Sequence, residues 1–478
     1  MNDRKGFGSN FGFLMAAVGS AVGLGNIWGF PNKMGANGGF PFLILYLALA
    51  LCCGVIIMLG ELALGRKTGH GAVGAYQSIS KRFKWLGWLG IAAAALIFSF
   101  YSALGGYCLR YVVVNFGNLI GAEFGTNGVG GADVFQGLLS QPDVSIAFAL
   151  AFMLITMLVV MSGVGGGIER VCSVGMPALF FILIICIIRS CTLPGAADGL
   201  KYMFVPGWAV ANGIIDEAPG FWRVLTAAGG QMFFSLSLGA GVMITYGSYL
   251  DKKQDLGKSA MIIVGMDTVV ALMAGLCVIP GRFALDPNGA LGGPELLFIT
   301  MQNVFDKMGP AGPVFGILFY LLVFFAAISS SISMLEVIVA HFCDKAREKG
   351  KGDRRKLYSA IAVVICAALC ALVCADGMGS NHISPAELLG LAGAKLPGWS
   401  TSWLGLFDSV AEGLLMPLGA LLMCLMISWE LKPDTLRQEI LLNGENRPWV
   451  YDFFRLCVKY ITPLCMLMIL YGQISEDT

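Results

Sequence analysis

The sequence predicts an all-α polytopic membrane protein with eleven transmembrane helices. Three observations carry that prediction. Hydrophobic residues make up 57% of the 478-residue chain and charged residues 13%, far less charge than a soluble surface of that size needs. Apolar runs of the ~20 residues that cross a bilayer recur along the chain. The connections between them alternate between strongly basic and base-poor. A net charge of +1 gives no reason to expect a nucleic-acid partner.

The runs fall at about 11–31, 39–64, 86–115, 144–162, 171–193, 220–250, 258–284, 312–343, 357–375, 402–429 and 449–472. Arg4 and Lys5 precede the first run. Its apolar character continues past Pro31 without a cleavage region, so it reads as an uncleaved span. Arg66, Lys67, Lys81, Arg82 and Lys84 follow span two. Lys345, Arg347, Lys349, Lys351, Arg354, Arg355 and Lys356 follow span eight. The connection 116–143 holds Glu123, Asp133 and Asp143 and no basic residue. The positive-inside rule then places the N-terminus in the cytoplasm. The expected location is the plasma (inner) membrane.

Residues 285–308 are amphipathic and too polar at their edges to span. They read either as a re-entrant lid on the outer face or as a surface helix. The fourteen cysteines lie almost entirely inside apolar runs, Cys366, Cys370 and Cys374 on one helix face, and read as small packing residues. With three scattered histidines, neither a zinc site nor a disulfide framework is indicated.

Spans one and six share an oddity. "AVGSAVGLGN" and "GGQMFFSLSLGAGVMITYGSY" place glycines and hydroxyl residues mid-membrane. They are five spans apart, as expected for a 5+5 inverted repeat in which each half opens with a discontinuous helix. The chain 1–478 reads as one transporter domain: repeat one about 11–193, repeat two about 220–429, and an extra helix about 449–472. A broken helix frees backbone N–H and C=O groups, which survive in a membrane only when buried in protein or lining a cavity. Freed carbonyls suit a hard cation and a half-helix N-terminus suits a carboxylate. The same glycines would also serve close helix packing.

Other polar residues lie within the spans: Glu61, Asp267, the serines 329–331 and Glu336. A carboxylate at mid-membrane costs at least ~2.5–3.5 kcal/mol, so it needs a cation or donors. Asp267 is the strongest functional candidate on this ground. A structural hydrogen-bonding role is the alternative.

"GSAVGLGNIWGFP", "GELALGR", "FFSLSLGAG", "FAAISSSISMLE" and "GPELLFITMQNVF" occur in this order, and together the chain resembles the neurotransmitter:sodium symporter family, its bacterial amino-acid branch. The resemblance implies a sodium-coupled amino-acid symporter working by alternating access, with two Na+ sites. The first would use the Ala21 carbonyl, Asn26, Ser235, Asp267 and the substrate carboxylate. The second would use the Gly19, Val22 and Ala326 carbonyls, Ser329 and Ser330. The implied substrate site comprises Ser20, Ala21, Leu24, Gly25, Ile97, Tyr101, Phe234, Ser235, Ser237, Ala240, Ser330 and Met334. Ala240 replaces a bulky aromatic of the family's leucine transporter, so a large hydrophobic or aromatic amino acid is expected. Arg4 and Asp344 match an inner gate pair.

Asp267 also stands where chloride-dependent relatives have a neutral sodium ligand, and Ala271 where they have a chloride-binding serine. A fixed carboxylate replaces the anion, so chloride is not expected to be required. The family's outer-gate arginine and aspartate are replaced by Gly29 and Ala411. That predicts an outer gate closed by Tyr101, Phe234 and the lid without an ion pair. The implied partners are an amino-acid substrate and membrane lipid, in a monomer or a dimer. A sensor that binds amino acid without moving it is the second reading. An enzyme would need a nucleophile–base pair or metal set, and the sequence offers none.

Overall fold

The structure, a computed structural model, describes residues 6–126, 128–291, 293–352, 354–388, 401–431, 435–441 and 448–476. Among them every regular element is helical. Nine helices are long and apolar enough to cross a membrane, and a tenth passage is the bent pair α1 (Asn10–Ala21) and α2 (Gly25–Ala36). The nine are α3 (Phe40–Thr68), α4 (Lys81–Ile120), α5 (Pro142–Met161), α6 (Val164–Cys191), α9 (Leu256–Leu285), α11 (Gly309–Glu348), α12 (Arg355–Asp376), α13 (Trp403–Glu430) and α14 (Pro448–Gln473). Between α6 and α9 lie α7 (Phe221–Leu236) and α8 (Val242–Gly247), which supply the further passage that eleven spans require. Residues Met301–Asp306 form the short lid helix α10.

Both expected breaks are present. Ser9 caps α1 by accepting from the Gly12 N–H at 2.9 Å. The helix stops where Val22 turns extended, at ψ 101°. α2 restarts with the Asn26 and Ile27 amides bonded to the Gly23 carbonyl, and the two halves meet at 44°. Helix α7 ends on Ser237, whose φ of +53° is left-handed, and Gly239 and Gly241 follow at +79° and +73°. Gly239 is needed twice over. Its φ favours glycine, and a Cβ there would stand 2.2 Å from the Met416 carbonyl oxygen.

The bundle is built around α4 and α11, which pack along each other through the core. Polar residues shut inside it are partnered. Glu61, 1% exposed, accepts the Gly239 N–H at 2.7 Å and so holds the interrupted α7–α8 backbone. Glu336, wholly buried, takes Arg355 at 2.5 and 3.0 Å and the Tyr249 hydroxyl at 2.5 Å. Both glutamates stand out in the sequence; their partners do not.

The segment from Gly293 through α10 does not span. Its Phe298 stacks on Phe135 and Tyr320 and meets Tyr107 and Tyr111. The Gly293 N–H donates to Asn32 Oδ1 at 2.6 Å, and the Trp28 indole donates to the Gly293 carbonyl at 3.3 Å. Further on, Asn115 and Gln302 exchange amide bonds at 2.9 and 3.4 Å. The lid is thus fastened to α2 at one end and to α4 at the other.

Candidate functional site

The two breaks lie against each other at the centre of the bundle. Gly25 touches the end of α7: a Cβ on it would stand 3.0 Å from Phe234 and 3.2 Å from the Ser235 Cα. Ser237 Oγ reaches back to the Ser20 carbonyl at 3.2 Å. Ser20 itself bonds Ser333 on α11 at 2.7 Å.

On one side of the breaks stands Asp267, fully buried on α9. The Asn26 amide donates to its carboxylate at 2.8 Å and to its backbone carbonyl at 3.0 Å. The Ser235 hydroxyl lies 3.0 Å from both carboxylate oxygens, and the Tyr46 hydroxyl 3.2 Å from one. Asn26 Oδ1 meanwhile accepts the Gly23 N–H at 3.0 Å. Every partner is neutral, and among the described residues no basic side chain pairs with Asp267. A buried carboxylate held by hydrogen bonds alone keeps its appetite for a cation.

On the other side lies a cluster of oxygens. Ser329 Oγ is 2.9 Å from the Ala326 carbonyl and 3.3 Å from that of Val22. Ser330 Oγ is 3.1 Å from the Ser20 carbonyl and 3.4 Å from that of Gly19. The donor set is oxygen throughout, carbonyl and hydroxyl, which suits a hard monovalent cation. Gly19 lets α11 come this close: a Cβ there would sit 3.3 Å from the Ser329 Cβ.

Between the two, the Leu24 N–H donates to the Tyr101 hydroxyl at 2.7 Å. Gly23 has to be glycine, because a Cβ would meet Ser330 Oγ at 2.2 Å and Tyr101 Oη at 2.4 Å. Phe234 lies 6.3 Å, ring to ring, from Tyr101. Ile97 lies one turn from Tyr101 and Met334 one turn from Ser330, both buried on those faces. Ala240 packs against α4, where a Cβ on Gly90 would touch its carbonyl carbon at 3.0 Å.

Three residues escape sequence reasoning. Tyr46 and Gln231 are single polar groups in apolar runs and look like packing. Gln231 in fact donates to the Gly25 carbonyl at 2.6 Å, and its Oε1 lies 2.9 Å from where a Gly29 Cβ would be. The third corrects an expectation. The outer vestibule does hold an ion pair: Lys33, one turn beyond Gly29, meets Glu412, one residue beyond Ala411. The charge has moved along both helices together. Of the expected inner gate, Arg4 lies outside the described residues, and Asp344 accepts the Gly71 N–H at 3.0 Å.

Comparison with known proteins agrees with this geometry. The family model described as "Sodium:neurotransmitter symporter family" matches residues 4–127 and 132–477. The chain belongs to that family. As such a symporter it is a sodium-coupled secondary transporter and not an enzyme. An "Uncharacterized sodium-dependent transporter YhdH" of Bacillus subtilis (strain 168) is 36% identical over 98% of this symporter and 97% of its own length. A sodium-dependent transporter of Methanocaldococcus jannaschii is 29% identical over 99% and 91%. Among solved structures, that of MhsT in complex with L-phenylalanine superposes with a TM-score of 0.84 at 34% identity, covering 98% of this chain and all of that one.

Proposed function

We propose that this symporter imports an amino acid with a large hydrophobic or aromatic side chain, coupled to two Na+ ions, by alternating access. The observation that carries the reading is the buried Asp267 with its neutral partners beside a helix break. The first ion would be held by Asp267, Asn26, Ser235, the Ala21 carbonyl and the substrate carboxylate. The second would be held by Ser329, Ser330 and the Gly19, Val22 and Ala326 carbonyls. The Tyr101 hydroxyl and the backbone from Leu24 to Gly25 would receive the substrate carboxylate. Ser20, Ser237 and the α7 break would face its ammonium. Ile97, Phe234, Ala240, Ser330 and Met334 would surround the side chain. The L-phenylalanine seen in the structure of MhsT supports an aromatic substrate.

The remaining parts of the proposal follow from charge. Asp267 supplies a permanent negative charge next to the first ion, so transport is independent of chloride. The basic ends of α3 and α11 put the N-terminus on the cytoplasmic side of the plasma membrane. Two Na+ ions entering through ~100 mV and down a tenfold gradient release about 7 kcal/mol, enough for a zwitterion ratio near ~10⁵.

The test is uptake of labelled L-phenylalanine into proteoliposomes under an inward Na+ gradient, with chloride or gluconate outside. Sodium-driven accumulation in both anions is expected. Binding without accumulation would assign a sensor instead, and loss of uptake in gluconate would overturn chloride independence.

A further inference from the structure

Beside the Asp344 end of α11 lies a cavity of about 180 Å³ that the transport reading does not use. It is lined by Lys84 and Trp88 of α4 and by His341, Lys345, Glu348 and Lys349 of α11. Lys84, Lys345 and Lys349 are exposed and form no ion pair among the described residues. His341 forms the inner wall. It is only 8% exposed, packs edge-on against Trp88 with ring centres 4.9 Å apart, and its Nε2 is buried without a hydrogen-bond partner.

The lysines alone would be explained by the charge bias of this end of the bundle. That bias does not explain a polar ring nitrogen closed in beneath them. A buried, unmatched nitrogen costs about 1–3 kcal/mol, so its place in a cavity points to something that pairs with it. The missing partner is an acceptor or hydroxyl small enough for the cavity and negative enough for three ammonium groups. Glu348 and Asp344 also line the wall, so the site stays only modestly positive and suits a singly charged group. Trp85 and Trp88 are 48% and 41% exposed at the same level, as aromatic residues at a membrane interface are.

We infer that this cavity binds a phosphate group, with His341 Nε2 and the lysines of α4 and α11 as its donors. A phospholipid headgroup such as phosphatidylglycerol and free inorganic phosphate share that chemistry. Either would bridge α4 and α11 immediately beside Asp344. The inference does not depend on the transported substrate, because its test is made without sodium or amino acid.

The full chain, purified in neutral detergent, is mixed with phosphatidylglycerol or phosphatidylcholine and the retained lipid is counted by native mass spectrometry. In parallel, inorganic phosphate is titrated against the thermal unfolding midpoint. Wild type is expected to retain phosphatidylglycerol over phosphatidylcholine, or to be stabilised by phosphate. The first result assigns a lipid and the second a free anion. Lys345→Ala with Lys349→Ala should weaken binding about fivefold per lysine. Lys351→Ala with Lys356→Ala, which removes the same charge outside the cavity, should not. His341→Leu should lose the preference with the lysines intact. Equal retention of both lipids together with no response to phosphate would overturn the inference. So would equal losses in the two lysine pairs.

Discussion

Asn26 meets Asp267 twice: its amide donates to the carboxylate at 2.8 Å and to the backbone carbonyl at 3.0 Å. One side chain from the broken α1–α2 passage thereby fixes both the position and the charge of the acid on α9. Asp267→Asn keeps the shape and removes the charge. Apparent sodium affinity should fall at least about tenfold, or ~1.4 kcal/mol. Adding Ala271→Ser should make the remaining transport respond to chloride. Uptake measured against sodium in chloride and in gluconate checks both.

Gly23 occupies a space with no room for a methyl group, as its contacts with Ser330 and Tyr101 show. Gly23→Ala should therefore displace those hydroxyls at a cost of about 1–3 kcal/mol. The strain falls on the centre and not on the outer packing. Substrate binding should be lost while the protein still elutes as a folded species in size-exclusion chromatography.

Lys33 and Glu412 are 23% and 9% exposed, partly open to water. Their coupling should be about 1 kcal/mol and weaken with salt. A double-mutant cycle on substrate dissociation rate, with Lys33→Met and Glu412→Gln, measures it. The charge-swapped pair Lys33→Glu with Glu412→Lys should restore most of the wild-type rate.

Glu336 is wholly buried, and the Arg355 side chain is 16% exposed. Glu336→Gln leaves that guanidinium without its counter-charge and should destabilise the fold by about 3–5 kcal/mol. Removing both charges, with Arg355→Met added, should recover much of the loss. Thermal unfolding in detergent reads the difference.

Glu439, between α13 and α14, is pulled two ways. Burial pushes its carboxyl up, but Lys252 and Arg66 outweigh burial and hold it below the ordinary range. Lys252 stands 2.8 Å and the Arg66 Nε 2.9 Å from its oxygens. A depressed acid stabilises the fold above its unfolded pKa, ~4.3 for glutamate, and that gain is lost as pH falls through the lower folded value. Wild type should exceed Glu439→Gln by about 2 kcal/mol at pH 7. The gap in unfolding temperature should close as the solution is acidified below pH ~4.

The spans and the two breaks could be read from the sequence because each has a strong local signature. Long apolar runs mark helices, and glycine with serine inside such a run marks backbone that must leave the helix. Asp267 could be read because an acid in an apolar run is costly. The Lys33–Glu412 pair could not be read, because it joins residues 379 positions apart and depends on the register of two helices. Moving one turn along α2 keeps a side chain on the same face, so Lys33 can do from Gly29's face what an arginine at 29 would have done. Tyr46 and Gln231 were hidden for the opposite reason. A lone hydroxyl or amide among leucines carries no sign of the neighbour it will meet.

The lid's two fastenings have a mechanical consequence. Releasing Gly293 from Asn32 while Gln302 stays on Asn115, or the reverse, strands amides in surroundings that offer them nothing else. Half-detached arrangements are therefore scarce. The cap over the vestibule behaves as a latch with two settings, thrown as one piece by α2, and not as a flap that drifts open.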